Sequence, residues 1–322
     1  MIRYLSLGFV CLFLHSCYYV DQGRGQLALQ FKQIPLKEAV ASTKDPQIKS
    51  LLQKVSEIKK FGRTYLGLAD TDNYQGYYAT DQKGITFVVT AAPKLKLEPY
   101  TWWFPVIGSV PYKGYFNQAD AEALQRQLIT QGYDVYLFAA PAYSTLGWFK
   151  DPITTPMLRG GLWGLADSIL HEMAHATLYV NNQGDFNEQL ASFVGKRGSL
   201  LYLQTQEHWA PEKIKLLQER KRTYQQAQQD IFAQIQVFRE VYADSDLSKQ
   251  EKLDQRAVLF SQLDHKLFEL TGRQWGMNNA KLLQYQRYKE DNPLFSQMLQ
   301  KHHQNWTGFW QDLKGYVNTQ GW

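Results

Sequence analysis

The sequence of 322 residues lacks a long apolar run, a dense basic block and an internal repeat. A helix that crosses a bilayer needs about 20 apolar residues, and the run from Tyr4 to Leu14 is shorter. The net charge is +5, but no Lys/Arg block is interleaved with aromatic residues, which excludes the usual footprint of a nucleic-acid-binding protein. The chain does contain 44% hydrophobic and 14% aromatic residues, and this composition predicts a globular protein with a substantial core.

The first 16 residues have the form of an export signal. Arg3 precedes the apolar run from Tyr4 to Leu14, and the length of this run is that of a signal-peptide core. Because the run is too short to span a bilayer, we predict that residues 1–16 are a signal peptide and not a membrane helix.

The residues at the end of this signal, Leu14-His15-Ser16-Cys17, resemble the lipobox of bacterial lipoproteins. The resemblance implies that Cys17 is the first mature residue and carries the acyl chains, and that Cys11 is removed. No pair of cysteines is then left for a disulfide. Tyr18 stands where Asp would indicate the inner membrane, so we expect a lipid-anchored protein of the bacterial envelope that faces the periplasm from the outer membrane. Plain secretion with a free thiol is the alternative.

Residues 17–200 predict a region of helices and short strands. Apolar residues recur at helical spacing up to about residue 60, with breaks at Pro35 and at residues 42–46. Between residues 61 and 116, short β-branched and aromatic runs predict a small mixed or antiparallel sheet. A helix from Asn117 to Gly132 comes next, and the remaining predicted strands are 134–140 and 142–149.

Residues 201–322 predict a mainly helical C-terminal region. Apolar residues three and four apart mark two long amphipathic helices. Ser248 and Glu251 form a capping box between them, which predicts a long antiparallel helical hairpin over residues 211–271. A third helical stretch is predicted at 278–301. The sequence therefore predicts an α+β protein, with a sheet in its first region and helices in its second.

The strongest chemical signal is HEMAH at residues 171–175. Residues four apart on a helix project from one face, so His171 and His175 can offer imidazole nitrogens to one metal ion, with Glu172 beside it. Zinc accepts neutral nitrogen ligands in a tetrahedral arrangement. The alternative is an ordinary helix with core or surface histidines. The apolar neighbours around this helix predict burial, however, and buried imidazoles need partners.

A second motif, FNEQLA at residues 186–191, follows a polar turn and begins another apolar helix. Glu188 in this motif is the candidate third ligand, which would leave the fourth position of a tetrahedral zinc to water. The alternative is a surface glutamate favoured by the dipole of its helix. With zinc held in this way, we expect Glu172 to act as the general base toward the attacking water.

Three further residues are candidates for supporting roles. Tyr143 belongs to a predicted strand just before the metal helix, and this strand is placed to run along the cleft as a substrate-pairing edge. The phenol of Tyr143 is then a candidate for stabilising the oxyanion, and packing in the core is its alternative role. Asn187 and Ser192 are candidates for orienting the ligands through hydrogen bonds.

The spacing H-E-x-x-H followed by N-E-x-x-A resembles the gluzincin metallopeptidases, in which the second glutamate is the third zinc ligand. A closer resemblance is to a bacterial family of predicted zinc aminopeptidases, described as aminopeptidase lipoproteins, and it extends from about residue 17 to the C-terminus. The stretches that carry it are, in order, YYVDQGRGQL, FPVIGSVPYKGYF, AYSTLGWFKDP, HEMAHATLY, FNEQLASFVG and NNAKLLQYQRY. The resemblance implies a zincin-like helical core, one zinc ion at His171, His175 and Glu188, Glu172 as base, and a peptide substrate.

Two alternatives stay open. The Gly-x-Met-x-Asn segment that holds the free amine in better-understood gluzincin aminopeptidases does not precede HEMAH, so both exopeptidase and endopeptidase activity fit the motifs. The alternative function is an envelope lipoprotein whose helical hairpin binds a partner, with a structural or vestigial zinc site. Asn278-Asn279-Ala280 could bring a polar edge to the cleft, but helix capping is the preferred interpretation.

Overall fold

The structure, a computed structural model, describes residues 18–104, 108–140, 150–206, 211–287 and 293–321. Within these ranges the chain has an α+β fold in which helices predominate, as the sequence predicts. The predicted signal peptide, Cys17 and Tyr143 lie outside the described residues. No described helix combines the length and the apolar character that a membrane span requires.

The helices and strands of the described ranges are numbered here in chain order. The helices are 18–32 (α1), Leu36–Ser42 (α2), Pro46–Leu66 (α3), Gln118–Thr130 (α4), Thr155–Leu158 (α5), Gly161–Thr177 (α6), Gly184–Gln204 (α7), Pro211–Ala243 (α8), Lys249–Thr271 (α9), Asn279–Arg287 (α10), Pro293–Lys301 (α11) and Trp306–Gln320 (α12). The strands are Ile34–Pro35 (β1), Gly76–Tyr78 (β2), Thr86–Pro93 (β3), Trp102–Phe104 (β4), Gly108–Val110 (β5), Lys113–Tyr115 (β6), Tyr133–Ala140 (β7) and Ile153–Thr154 (β8).

The described strands form three small sheets, so the prediction of a single sheet is wrong. β3 is the centre of an antiparallel sheet with the order β6-β3-β7, and it pairs with β7 along its whole length. β1, β2 and β8 form a mixed sheet of very short strands, while β4 and β5 pair with each other. β4 and β5 form a sheet of their own for a local reason. The two strands are separated by only three residues in the sequence, and Gly108 begins β5 at a φ of 73°, a conformation that favours glycine.

Helix ends follow the capping signals of the sequence. The carboxylate of Asp45 accepts hydrogen bonds from the N–H groups of Gln47 and Ile48 at the start of α3, and Gly67 ends that helix in the left-handed conformation. The predicted capping box before α9 is confirmed, because Ser248 and Glu251 exchange both of the expected hydrogen bonds.

The main hydrophobic core lies around α6, the helix that carries HEMAH. α6 packs against α3 and α7, and its inner residues Leu165, Ile169, Leu170 and Met173 are fully buried. α12 closes this core from the C-terminal end of the chain, where the Trp310 indole donates a 2.7 Å hydrogen bond to the carbonyl of Leu66. α12 lies in the region predicted to be helical but was not among the individual predicted helices, although the apolar residues at 306, 309, 310, 313 and 317 have helical spacing.

A second core lies between α8 and α9, where Phe238 stacks on Phe260 with a centroid distance of 4.3 Å. α10 joins these helices to the β6-β3-β7 sheet through buried Asn279, which accepts a hydrogen bond from the Tyr242 hydroxyl and donates to the carbonyl of Pro93. Asn278 caps α10, since its side chain accepts from the N–H of Lys281. This geometry supports the capping interpretation. The predicted boundary after residue 200 falls inside α7, and the division into two regions stays a prediction.

Candidate metal centre

α6 places the two histidines of HEMAH on one side of a buried helix. Residues 171 and 175 are one turn apart in the C-terminal half of α6, so their side chains leave the helix in the same direction. The opposite side of α6 packs into the main core. The side chain of His171 is 20% exposed and that of His175 is 10% exposed. This partial exposure gives a small ligand access to both rings.

The donor atoms of His171, His175 and Glu188 converge on one point. The two Nε2 atoms are 3.2 Å apart, and the Glu188 carboxylate oxygens lie 3.4 Å from His171 Nε2 and 3.7 Å from His175 Nε2. Zinc bonds of about 2.0–2.1 Å at tetrahedral angles place two ligand atoms roughly 3.4 Å apart. The observed separations are close to this value, and the group could bind a metal ion.

The connection between α6 and α7 sets the position of Glu188. α7 begins at Gly184, so Glu188 lies in the second turn of this helix. The neighbouring Asn187 is buried and forms two hydrogen bonds to one residue, accepting from the N–H of Val180 at 2.9 Å and donating to its carbonyl at 2.8 Å. These bonds fasten the connecting segment 178–183 to the start of α7. Asn187 thus helps to position the candidate ligand Glu188 through the backbone.

Close contact between α6 and α7 also depends on Gly195. A Cβ at this position would lie 2.6 Å from Asp167 Oδ1, 2.8 Å from the Asp167 carbonyl oxygen and 3.2 Å from His171 Cβ. A backbone carbonyl cannot move aside as a flexible side chain can. The absence of a side chain at Gly195 is therefore what allows α7 to bring Glu188 up to the histidines.

Gly195→Ala should push the two helices apart and weaken metal binding. Alanine favours a helix interior by about 0.5–1 kcal/mol over glycine, but overpacking of this kind costs about 1–3 kcal/mol, so we expect a net loss of stability. Thermal unfolding and metal titration measure the two effects. Gly315→Ala in α12, where a Cβ would meet no atom within 4 Å, is the matched control and should be neutral or stabilising. Unchanged metal affinity in Gly195→Ala would show that helix separation does not control the site.

The pKa values of His171 and Glu188 are shifted by each other's charge. Burial alone would lower the pKa of His171, but the hydrogen bond to Glu188 and the surrounding carboxylates raise it above its usual value. Burial would raise the pKa of Glu188, and the His171 hydrogen bond and charge lower it. Burial and the neighbouring His171 lower the pKa of His175 to about 4. At neutral pH the His175 ring is neutral, as a metal ligand must be.

A cavity of about 390 Å³ opens beside the cluster. His171 and Glu172 form part of its wall, so the candidate base faces the same space as one of the candidate metal ligands. β7 supplies another part of the wall. β7 is an edge strand of its sheet within the described residues. The other lining residues, from β7, α6, α7, α8 and α10, are Tyr136, Phe138, Ala139, Ala140, Asp167, Ser168, Ser192, Lys196, Tyr224, Gln284 and Tyr285.

The structure brings together most of the residues that the sequence singled out. Ser192 lines the cavity beside His171 and Glu172, and Asn187 holds the connection before Glu188. The Nδ1 atom of His175 is buried and has no hydrogen-bond partner in the described part of the chain. Neither Asn187 nor Ser192 bonds this atom, and their roles in orienting the ligands stay predictions.

Several cavity residues were missed from the sequence. The position of Asp167 was predictable from its spacing, since it lies four residues before His171 and therefore on the same face of α6. No sequence pattern predicted Tyr224 and Tyr285, because they line the cavity from α8 and α10, which are distant from α6 in the sequence. Lys196 Nζ lies 5.0 Å from the centre of the Tyr224 ring, a cation–π distance. The helical C-terminal region thus contributes directly to the cleft.

The chain matches a known protein family. The sequence profile of a family described as "Putative aminopeptidase" matches residues 17–320. Neither the curated proteins nor the solved structures give a match. The profile covers nearly the whole chain, including HEMAH, FNEQLA and the helices that complete the cavity. The chain therefore belongs to the Putative aminopeptidase family.

Proposed function

We propose that this protein is a zinc-dependent metallopeptidase that hydrolyses peptide bonds in the cavity beside His171. The observation that carries the proposal is the position of the Glu188 carboxylate beside two Nε2 atoms that are 3.2 Å apart. Its two oxygens lie 3.4 Å from His171 Nε2 and 3.7 Å from His175 Nε2, and a glutamate stands next to the first histidine. The family supports peptidase activity in general terms. Zinc, the general base and a zincin-like arrangement of α6 and α7 are the finer parts of the proposal.

The residues of the chain divide the chemistry between them. His171, His175 and Glu188 would hold the ion, which when bound acts as a Lewis acid toward water and the scissile carbonyl. Glu172 takes the proton from the attacking water and passes it to the leaving amine. Within the described residues β7 is an edge strand, along which an extended peptide can form an additional strand. Tyr143 remains the proposed oxyanion donor, and its position is outside the described residues.

The rival proposal, an adaptor with a structural zinc site, makes a different prediction for the metal. A structural site closes all four positions with protein ligands, whereas a catalytic site leaves one to water. The cavity beside His171 supports the open type. Metal analysis of the purified protein, followed by titration with a hydroxamate and a chelator, tests this. One zinc per chain and inhibition by both reagents are the expected results, and insensitivity of the measured hydrolysis to both would favour the adaptor.

We also propose that the protein is anchored to the envelope membrane through Cys17. Helix α1 includes residue 18, which follows this cysteine in the sequence. Val20, Leu27 and Phe31 lie seven and four residues apart, so they form one stripe of α1. Their exposed fractions are 50%, 51% and 81%. An exposed apolar stripe next to the acylation site supports a position of α1 at the lipid surface.

Cys17→Ser should abolish incorporation of labelled palmitate in cells, because only the thiol at residue 17 can accept the acyl chain. Cys11→Ser is the matched control, since residue 11 lies in the predicted signal peptide, and it should be labelled like the parent. Density-gradient separation of the membranes then tests the outer-membrane location. Equal labelling of both variants would refute lipidation at Cys17.

A further inference from the structure

A second cavity, of about 230 Å³, adjoins the cleft at Gln284, whose side chain lines both spaces. We call it the arginine cavity, because Arg239 of α8 and Arg287 of α10 line it. Asp185 is the single acidic residue in its wall. The remaining lining residues are apolar or neutral.

The arginine cavity lies close to the metal centre. Asp185 and Glu188 are three residues apart on α7, so they are neighbours on one face of that helix. Arg287 Nε lies 3.4 Å from Asp185 Oδ1, which places the guanidinium group within about one helical turn of the candidate ligand. An extended peptide rises about 3.3 Å per residue. A group bound in the arginine cavity is therefore only a few residues from a peptide bond at the metal centre.

The positive charge of this cavity exceeds what its own acid can neutralise. Asp185 faces two guanidinium groups, and Arg239 forms no ion pair with any residue in the described ranges. Arg287 Nε is buried and lacks a partner in hydrogen-bond geometry there, in spite of its proximity to Asp185. The surrounding residues restrict the movement of Arg287, because only 20% of its side chain is exposed. Its guanidinium carbon also lies 5.8 Å from the centre of the Tyr112 ring. A fixed, incompletely paired guanidinium fits a planar anion.

We infer that the arginine cavity binds a carboxylate of the peptide substrate, either at its C-terminus or on an acidic side chain a few residues from the cleaved bond. The inference rests on the proposed peptidase function, which supplies the peptide. With a carboxylate site at this position, the protein should prefer short peptides or acidic ones, because a long neutral peptide places no carboxylate there.

Three peptides separate the two sources of the carboxylate: Ala-Ala-Ala with a free C-terminus, the same peptide as its C-terminal amide, and Ala-Ala-Glu as its C-terminal amide. Binding is measured by calorimetry on the zinc-loaded Glu172→Gln protein, and hydrolysis on the zinc-loaded parent. We expect the free acid, the Glu peptide or both to bind about 10-fold or more tightly than the neutral amide, as a charge-assisted hydrogen bond predicts. The Glu peptide binding like the free acid would identify the side chain as a sufficient source.

Arg239→Gln and Arg287→Gln in the same background should bring all three peptides to similar affinity, while metal content and circular dichroism stay unchanged. Arg126→Gln, at an exposed arginine of α4 with a nearby Glu122, is the matched control and should keep the preference. Equal affinity of the three peptides for the unsubstituted site would overturn the inference, even if all are hydrolysed. A retained binding preference without any hydrolysis by the parent would instead refute the peptidase and leave the carboxylate site standing.

Discussion

Glu172→Gln should keep the bound metal and the fold while lowering kcat by about 10²–10⁴-fold, the usual contribution of a general base. Glutamine has nearly the shape of glutamate but cannot accept the proton of the attacking water at neutral pH. Glu172 lies next to His171 in α6 and lines the cavity at the metal centre, and it is not among the three residues whose donor atoms converge. Its loss should therefore affect the chemical step and not the affinity for the ion.

The measurement is kcat and KM on a hydrolysed peptide, together with zinc content by elemental analysis and the unfolding temperature. Glu269→Gln is the matched control, because Glu269 is an exposed acid of α9 with 67% of its side chain accessible, and it should behave as the parent. A Glu172→Gln protein that hydrolyses peptides at the parental rate would eliminate Glu172 as the base. A protein that loses its zinc as well would show that the residue supports the site in another way.

The parts of the site that were predictable from sequence are those encoded within one or two turns of a helix. His171, Glu172 and His175 follow from four-residue spacing on an apolar helix, and Glu188 follows from a turn and a second helix close behind it. Because the connection between α6 and α7 is short, the two helices must lie next to each other. Sequence separation is small, so local periodicity is enough to place these side chains together.

The rest of the cleft depends on contacts between distant segments, which periodicity does not encode. The edge position of β7 follows from its pairing with β3, about fifty residues earlier, and not from its own composition. Tyr224 and Tyr285 enter the cavity because α8 and α10 pack near β7. The prediction of one sheet was wrong for a related reason. Strand-forming runs reveal that strands exist, but their partners depend on connections and on what each edge meets in three dimensions.

The close contact between α6 and α7 is also difficult to predict from the sequence. Gly195 reads as an ordinary glycine inside a helix, where it costs stability relative to alanine. In the structure its missing side chain admits Asp167 and His171. A glycine in the middle of an otherwise well-formed helix, seven residues after a candidate ligand, is thus a signal for a close approach, but its partner becomes known only from the fold.

Removal of the third ligand should have the largest effect on the metal. Glu188→Ala leaves two imidazoles 3.2 Å apart and no carboxylate, and two neutral nitrogens hold zinc far less well than three ligands do. Loss of a supporting hydrogen-bond group around a zinc site costs about 10–100-fold in affinity, so we expect loss of a direct ligand to exceed that range. Hydrolysis should fall with metal occupancy, and it should recover in part when zinc is added in excess.

Glu188→His distinguishes a lost ligand from a damaged fold. Histidine is a zinc ligand of similar reach, so this variant should bind zinc more tightly than Glu188→Ala, while both share the loss of the Glu188 carboxylate. Competition with a chromophoric chelator gives the affinities, and the unfolding temperature of the metal-free proteins shows whether α6 and α7 remain packed. Stoichiometric zinc in Glu188→Ala after dialysis against a weak chelator would exclude Glu188 as a ligand. The two histidines would then need a partner from another part of the chain, and the proposed mechanism would lose its geometry.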